Sequence, residues 1–303
     1  MRHFLSINDL SRDEALFLLA EADRLKDELR DPARRARQRQ NLAGKTLAMI
    51  FEKPSLRTRV SFDVGIAQLG GHPLTLSPSE IGLGKRESVA DVARVLSRMC
   101  EGIMARVFSH AALQELAEYS LVPVINALSD AEHPCQALAD LQTLQQFKGL
   151  ENRKIAYVGD GNNVCHSLML LCAKLGVRFS AGVPAGYEPQ REYSLQAQRE
   201  GEVVITNDPR EAVKDADAVY TDVWTSMGQE EETAKRLKDF QGFEVNAELM
   251  SGAKCDAIIL HCLPAHRGEE ISHEAMESTQ SKVFEQAENR LHAQKAVLLW
   301  LMG

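Results

Sequence analysis

The chain has 303 residues, 44% of them hydrophobic and 26% charged. At roughly 100–200 residues per domain this predicts two domains, with core enough to need no disulfide or metal staple. A formal charge of −8, from 35 basic and 43 acidic residues, argues against nucleic acid or an anionic membrane as the main partner. A local basic pocket is still allowed. The six cysteines include no C-x-x-C pair, which points to a reducing, cytoplasmic setting. Residues 1–10 lack the apolar stretch of a signal peptide, and the longest apolar run, 296–302, is far short of the roughly 20 residues of a membrane span.

In chain order, Ser11 and Glu14 form a capping box opening a helix that carries Leu16, Leu19 and Leu25 on one face. Thr46–Phe51 reads as a buried strand, and 59–69 as a helix closed by Gly70 and Gly71. Strands are expected at 103–107 and 122–127, and helices at 88–99 and 112–118. The helical stretch 134–147 leads to a second series, beginning with the strand Lys154–Val158. Strands follow near 177–183, 203–206, 218–222 and 257–261, with helices near 164–175, 209–214 and 233–239 between them, and a final long helix at 285–302. The alternation predicts an α/β chain with parallel sheets. Two such lobes commonly bind two small substrates.

Some motifs fail on inspection. Gly44-Lys45-Thr46 would need a glycine at position 39 to be a phosphate loop, and that residue is Arg39. Gly159 and Gly161 follow a strand, but the third glycine of a dinucleotide fingerprint falls on Val164. Arg30, Arg34, Arg35, Arg37 and Arg39 lack interleaved aromatics and read as a solvated helix end. The histidines and cysteines show no metal-ligand spacing, so neither a metal nor another cofactor is expected.

The informative segments all follow expected strands. Lys53-Pro54-Ser55-Leu56-Arg57-Thr58-Arg59 offers two hydroxyls, a bidentate guanidinium and a helix N-terminus, the chemistry of a phosphate site. Ser55 taken alone is equally a plain helix cap. His133 and Gln136 stand three apart at a helix start and can share one face. Asp222-Val223-Trp224-Thr225-Ser226-Met227-Gly228 and His261-Cys262-Leu263-Pro264 lie at two further strand ends.

This set, spread over nearly the whole chain, resembles the aspartate/ornithine carbamoyltransferase family. The phosphate motif and H-P-x-Q are common to its branches, while the Ser226-Met227-Gly228 and His261-Cys262-Leu263-Pro264 motifs look like the ornithine branch. The resemblance implies two doubly wound parallel-sheet domains, 1–148 for carbamoyl phosphate and 149–280 for ornithine, with 281–303 a helix packed back on the first. It further implies a homotrimer, and carbamoyl transfer to the δ-amine of ornithine, giving citrulline.

Carried over by position, carbamoyl phosphate meets Ser55, Leu56, Arg57, Thr58, Arg106, His133, Gln136, Cys262, Leu263 and Arg290. Ornithine meets Asn163, Asp222, Ser226 and Met227, and the catalytic set is Arg106, His133, Asp222 and Cys262. Leu56 stands where the family often has threonine, so only its backbone can serve. The loop 79–86 looks like one that reaches a neighbouring subunit, with Gly82 near the place of a glutamine. Alternatives at this point are a sister enzyme for putrescine, N-acetylornithine or aspartate, a non-catalytic anion-binding protein of the same fold, and a nicotinamide oxidoreductase.

Overall fold

The computed structural model describes every residue except Met227 and Gln229. The chain divides into two units, one of residues 1–139 and 289–303, the other of 140–288. Each is built on its own parallel sheet. Among the described residues no helix is long and apolar enough to cross a membrane.

In the first unit the strands are β1 (Thr46–Phe51), β2 (His72–Leu76), β3 (Gly102–Arg106) and β4 (Val124–Leu128), in the order β2-β1-β3-β4. All neighbours pair in parallel. β1 and β3 are central and buried almost throughout, which is why they read as unbroken apolar runs. β2 was not anticipated. It is an edge strand, it contains Pro73, and its residues are exposed or half-buried, so it carries no buried apolar run to detect. One face of the sheet packs Ile50, Ile103, Ala105 and Val124 against Val92, Leu113 and Leu116. The first long helix, Arg12–Glu28, opens with the expected Ser11 and Glu14 capping box. Its buried face is Ala15, Leu18, Leu19, Ala22 and Leu25. Leu16 is only half-buried, because the 3.6-residue repeat that buries Leu18 and Leu25 turns it toward the flank. The arginine-rich stretch forms the short helix Pro32–Gln38, capped by Asp31, with its arginines in solvent.

The second unit holds β5 (Lys154–Val158), β6 (Arg178–Gly182), β7 (Val203–Thr206), β8 (Ala218–Thr221) and β9 (Ile258–His261). Their order is β7-β6-β5-β8-β9, all parallel. Phe240 anchors the core on one face, with the rings of Tyr187, Trp224 and Phe243 at 4.8, 5.5 and 6.3 Å. The boundaries of the two units fall at 139/140 and 288/289. Both lie inside helices, Pro134–Lys148 and Val283–Met302, whose interiors contain no Gly or Pro to interrupt them. Within the second unit the two helices are joined by Gln286 Nε2 donating to Asp140 Oδ1 at 2.6 Å.

Candidate active site

Each sheet has a point where the strand order reverses direction, between β1 and β3 in the first and between β5 and β8 in the second. Ligands of open α/β sheets gather at the carboxyl ends of the strands beside such points. The loops that follow β1 and β8 leave the sheets there, and those that carry His133 and Cys262 follow the neighbouring outer strands β4 and β9.

In the first unit, β1 runs through Lys53 and Pro54 into the helix Leu56–Gln68. Ser55 is its cap: Oγ accepts the Thr58 N–H at 3.2 Å and keeps its own proton to donate. The Leu56 side chain is 73% exposed, so what it can offer the site is its backbone N–H in the helix's first turn. Arg106 ends β3 and is buried; its Nη1 donates to Thr58 Oγ1 at 3.3 Å. Arg290, also buried, donates to the same oxygen from Nη2 at 3.3 Å and to Gln136 Oε1 from Nη1 at 2.6 Å. The Gln294 amide, assigned so that it donates to Ser61, accepts Arg290 Nε at 3.1 Å and Nη2 at 2.9 Å. Ser55, Thr58, Arg106, Gln136 and Arg290 are thus drawn together in one unit.

His133 shares their electrostatic field. Burial holds its pKa well below the ordinary histidine value, and Arg290, Arg106, Lys53 and Arg57 push it further down. It is therefore a neutral imidazole at pH 7, with one N–H to donate. Lys53, half-buried, is also lowered, first by burial and then by Arg106.

In the second unit, Asn162 caps the helix Asn163–Leu175, its Oδ1 accepting the N–H groups of Val164 and Cys165 at 3.0 and 3.1 Å. Its Nδ2 donates to Asp222 Oδ2 at 2.8 Å. Asp222 follows β8 and is 5% exposed; its Oδ1 accepts the Cys262 thiol at 2.9 Å and the Val223 N–H at 2.8 Å. Burial, then Asp222, hold the Cys262 pKa well above the usual thiol value, so it is an S–H donor and not a thiolate. His261 Nδ1 accepts the Leu263 N–H at 2.8 Å, which leaves the ring proton on Nε2 to donate to Glu270 Oε1 at 3.0 Å. That bond helps hold Leu263 at φ +59°, a strained value for a leucine. Asp222, His261 and Cys262 place ligand-type atoms within 4.8 Å of one another. Both nitrogens of His261 are engaged, by Leu263 and Glu270, and the Cys262 thiol is engaged by Asp222.

Behind these residues Arg236 ties two loops together. Its Nη1 contacts Asp160 Oδ2 at 3.0 Å and the Trp224 carbonyl at 2.9 Å. Burial raises the Asp160 pKa to about 6 despite that partner. Gly161 has a packing reason: a Cβ there would lie 2.2 Å from Pro189 N.

Comparison with known proteins also divides the chain in two, with the break between residues 146 and 151. A family model for the aspartate/ornithine carbamoyltransferase carbamoyl-P binding domain matches residues 2–146, and one for the Asp/Orn binding domain matches 151–301. The chain belongs to the aspartate/ornithine carbamoyltransferase family. The ornithine carbamoyltransferase of Carboxydothermus hydrogenoformans is 53% identical, over 100% of this chain and 98% of its own length. That of Thermococcus kodakarensis is 52% identical, over 100% and 96%. The solved ornithine carbamoyltransferase of Pyrococcus furiosus superposes with a TM-score of 0.94 at 49% identity, covering 100% of this chain and 97% of that one.

Against the family pattern, the first unit gathers seven of the residues expected to meet carbamoyl phosphate, with Arg57 half-buried beside them. Cys262 and Leu263, expected in the same set, stand in the second unit beside Asp222. Asn163 and Ser226 are partly exposed there, and Met227 lies outside the described residues. Sequence reasoning missed Asn162, whose side-chain amide donates to Asp222; its signal was an Asn opening an apolar helix. It also missed Asp160 and Arg236, which lie 76 positions apart and carry no spacing signal. Gly82 caps the short helix Pro78–Ile81 at φ +52°, and a Cβ would fall 2.6 Å from that of Arg86. A glutamine could not take that place without moving the loop.

Proposed function

We propose that the chain transfers the carbamoyl group of carbamoyl phosphate to the δ-amine of L-ornithine, giving L-citrulline and phosphate. The observation that carries this is the Cys262–Asp222 pair at the ends of adjacent strands β9 and β8, where two ornithine-branch motifs meet. The neutral δ-amine attacks the carbamoyl carbon, a C–N bond forms, and the C–O bond to phosphate breaks. The phosphate leaves with the electron pair and the proton lost by the amine. Arg106, His133 and Thr58 donate to the carbonyl oxygen as charge develops there, each donor being worth roughly 10²–10³ in rate. Ser55, Arg57 and the backbone of Leu56 hold the phosphate, while Gln136 and Arg290 brace the carbamoyl end. Asp222 takes the α-ammonium, with Asn163, Ser226 and Met227 completing the ornithine site. Cys262 and Leu263 line the reacting end. A covalent role for Cys262 is disfavoured by its protonated state.

We read the active form as a cytoplasmic homotrimer. Leu56, Val60 and Val64 are exposed at four-residue intervals along one helix face, an apolar stripe suited to a second copy. The test is citrulline formation by pure protein from carbamoyl phosphate and ornithine, compared with product formation from putrescine, N-acetylornithine and aspartate. A higher kcat/KM for another amine overturns the substrate assignment. Sedimentation of the pure protein reads the assembly.

A further inference from the structure

The segment ahead of the first helix is bonded into the phosphate-binding unit. Phe4 forms a parallel bridge with Ile125. Its N–H donates to the Val124 carbonyl at 2.9 Å, and the Asn126 N–H donates to the Phe4 carbonyl at 2.8 Å. Asn126 Nδ2 adds a bond to the Leu5 carbonyl at 2.8 Å. The segment therefore extends the sheet beside β4. Two residues on, the Ser6 hydroxyl donates to Glu132 Oε1, and the Ile7 N–H donates to Glu132 Oε2 at 3.1 Å. Glu132 is 1% exposed and immediately precedes His133. The same segment also reaches the helix that carries Arg290: the Phe4 ring meets the Trp300 ring edge-on at 6.2 Å, and the Arg2 guanidinium lies 4.7 Å over that ring.

The Glu132 side chain is not needed to close its own turn. That turn is closed by the Ser129 N–H donating to the Glu132 carbonyl at 3.0 Å. What the carboxylate adds is an anchor on one side of His133. The other side is held by the helix start, where the N–H groups of Gln136 and Ala137 donate to the His133 carbonyl at 3.0 and 3.3 Å. A buried carboxylate is expensive unless its oxygens are satisfied. Here two donors from residues 6 and 7 satisfy both oxygens.

We propose that Glu132 is a positioning residue for His133, and that residues 4–7 form a brace holding it. This rests on the reading of His133 as a donor to the carbamoyl group. Ser6→Ala and Glu132→Ala lower kcat and raise the KM for carbamoyl phosphate, leaving the KM for ornithine within about threefold. The loss approaches 10²-fold if the ring shifts by about 1 Å. Glu132→Gln keeps an acceptor oxygen and restores most of the activity. The deciding measurement is a double-mutant cycle in the full chain with His133→Ala. Glu132→Ala should cost almost nothing further in that background. An equal loss with and without His133 overturns the proposal, as does a loss confined to melting temperature. If His133→Ala itself leaves kcat unchanged, the reading of His133 fails and the proposal falls with it. Ser6→Ala, which removes only one hydroxyl, keeps the test available should Glu132→Ala not fold.

Discussion

Thr58 offers the sharpest test of the proposed carbonyl site. Its hydroxyl oxygen accepts from Arg106 and from Arg290, both at 3.3 Å. A hydroxyl has two acceptor positions and one proton, so with both lone pairs engaged the proton points elsewhere. In the proposed reaction it points at the carbonyl oxygen. Thr58→Val keeps the shape and removes the hydroxyl. Losing one donor to a developing oxyanion lowers kcat by about 10²–10³, or roughly 3–4 kcal/mol. The two buried guanidinium groups also lose an acceptor. Charged hydrogen bonds contribute about 1.5–3 kcal/mol each, and at these long distances the lower end applies. The free protein is therefore destabilised as well, and Thr58→Ser, which keeps the hydroxyl, separates the two effects. The assay is the initial rate of citrulline formation with both substrates saturating, beside calorimetric binding of carbamoyl phosphate. If Thr58→Val keeps kcat within tenfold of wild type while Thr58→Ser is normal, the hydroxyl is not a donor in the transition state and the reasoning is refuted.

Asp222→Asn should weaken ornithine binding by about 2–5 kcal/mol, by analogy with truncated buried charge pairs, and leave carbamoyl phosphate binding nearly unchanged; equal losses for both ligands would sink the assignment. Because His133 is already neutral, it should contribute no acidic limb to the rate profile between pH 6 and 8. With carbamoyl phosphate saturating, kcat/KM for ornithine should instead climb by up to tenfold per pH unit, following the neutral amine; a flat profile would mean that the ammonium binds and an enzyme base takes its proton. Lys295 is fully buried, donates to Gln38 and Gln68 at 2.5 and 3.0 Å, and has its pKa lowered to about 8 by burial. The unfolded chain binds that proton more tightly, so the contribution of Lys295 to stability rises with pH, by up to about 3 kcal/mol from pH 8 to the ordinary lysine value near 10.4. Denaturant unfolding of wild type and Lys295→Met across that range checks this, a constant difference between them counting against it.

What could be read from the sequence was local. Strands such as Thr46–Phe51 and Lys154–Val158 announce themselves because a strand covered on both faces must be apolar at every position. The loops at strand ends were legible because a cap, a fork and a helix start are short-range devices. β2 was not, since an edge strand with Pro73 has no such constraint. The partners of the functional residues were not legible either. Asn162 meets Asp222 across 60 positions, and Ser6 meets Glu132 across 126. Those pairings exist because parallel strands align their carboxyl ends, and composition and periodicity contain no record of which ends become neighbours. The family resemblance points to residues expected to touch ligand and not to Asn162 and Arg236, which hold such residues or their loops.

The two units solve one electrostatic problem with opposite signs. A site for a dianion must keep positive charge buried without cancelling it. Arg106 and Arg290 are oriented by the neutral acceptors Thr58, Gln136 and Gln294. A carboxylate in any of those places would orient them as well, but it would satisfy the charge that the phosphate must satisfy. Burial, and then the same field, keep His133 neutral, so that it offers an N–H donor without adding a further cation. In the second unit Asp222 is oriented by the Asn162 amide, the Cys262 thiol and a backbone N–H, all neutral donors, so its charge remains available to an ammonium. Burying a charge among neutral partners costs free energy that a ligand of opposite charge offsets. Ligand binding should therefore stabilise the fold. At a hundred times the dissociation constant that gain is about 2.7 kcal/mol. Replacing Gln136 by Glu would test the principle: folding should become more favourable in the free protein, and carbamoyl phosphate should lose both its affinity and its stabilising effect.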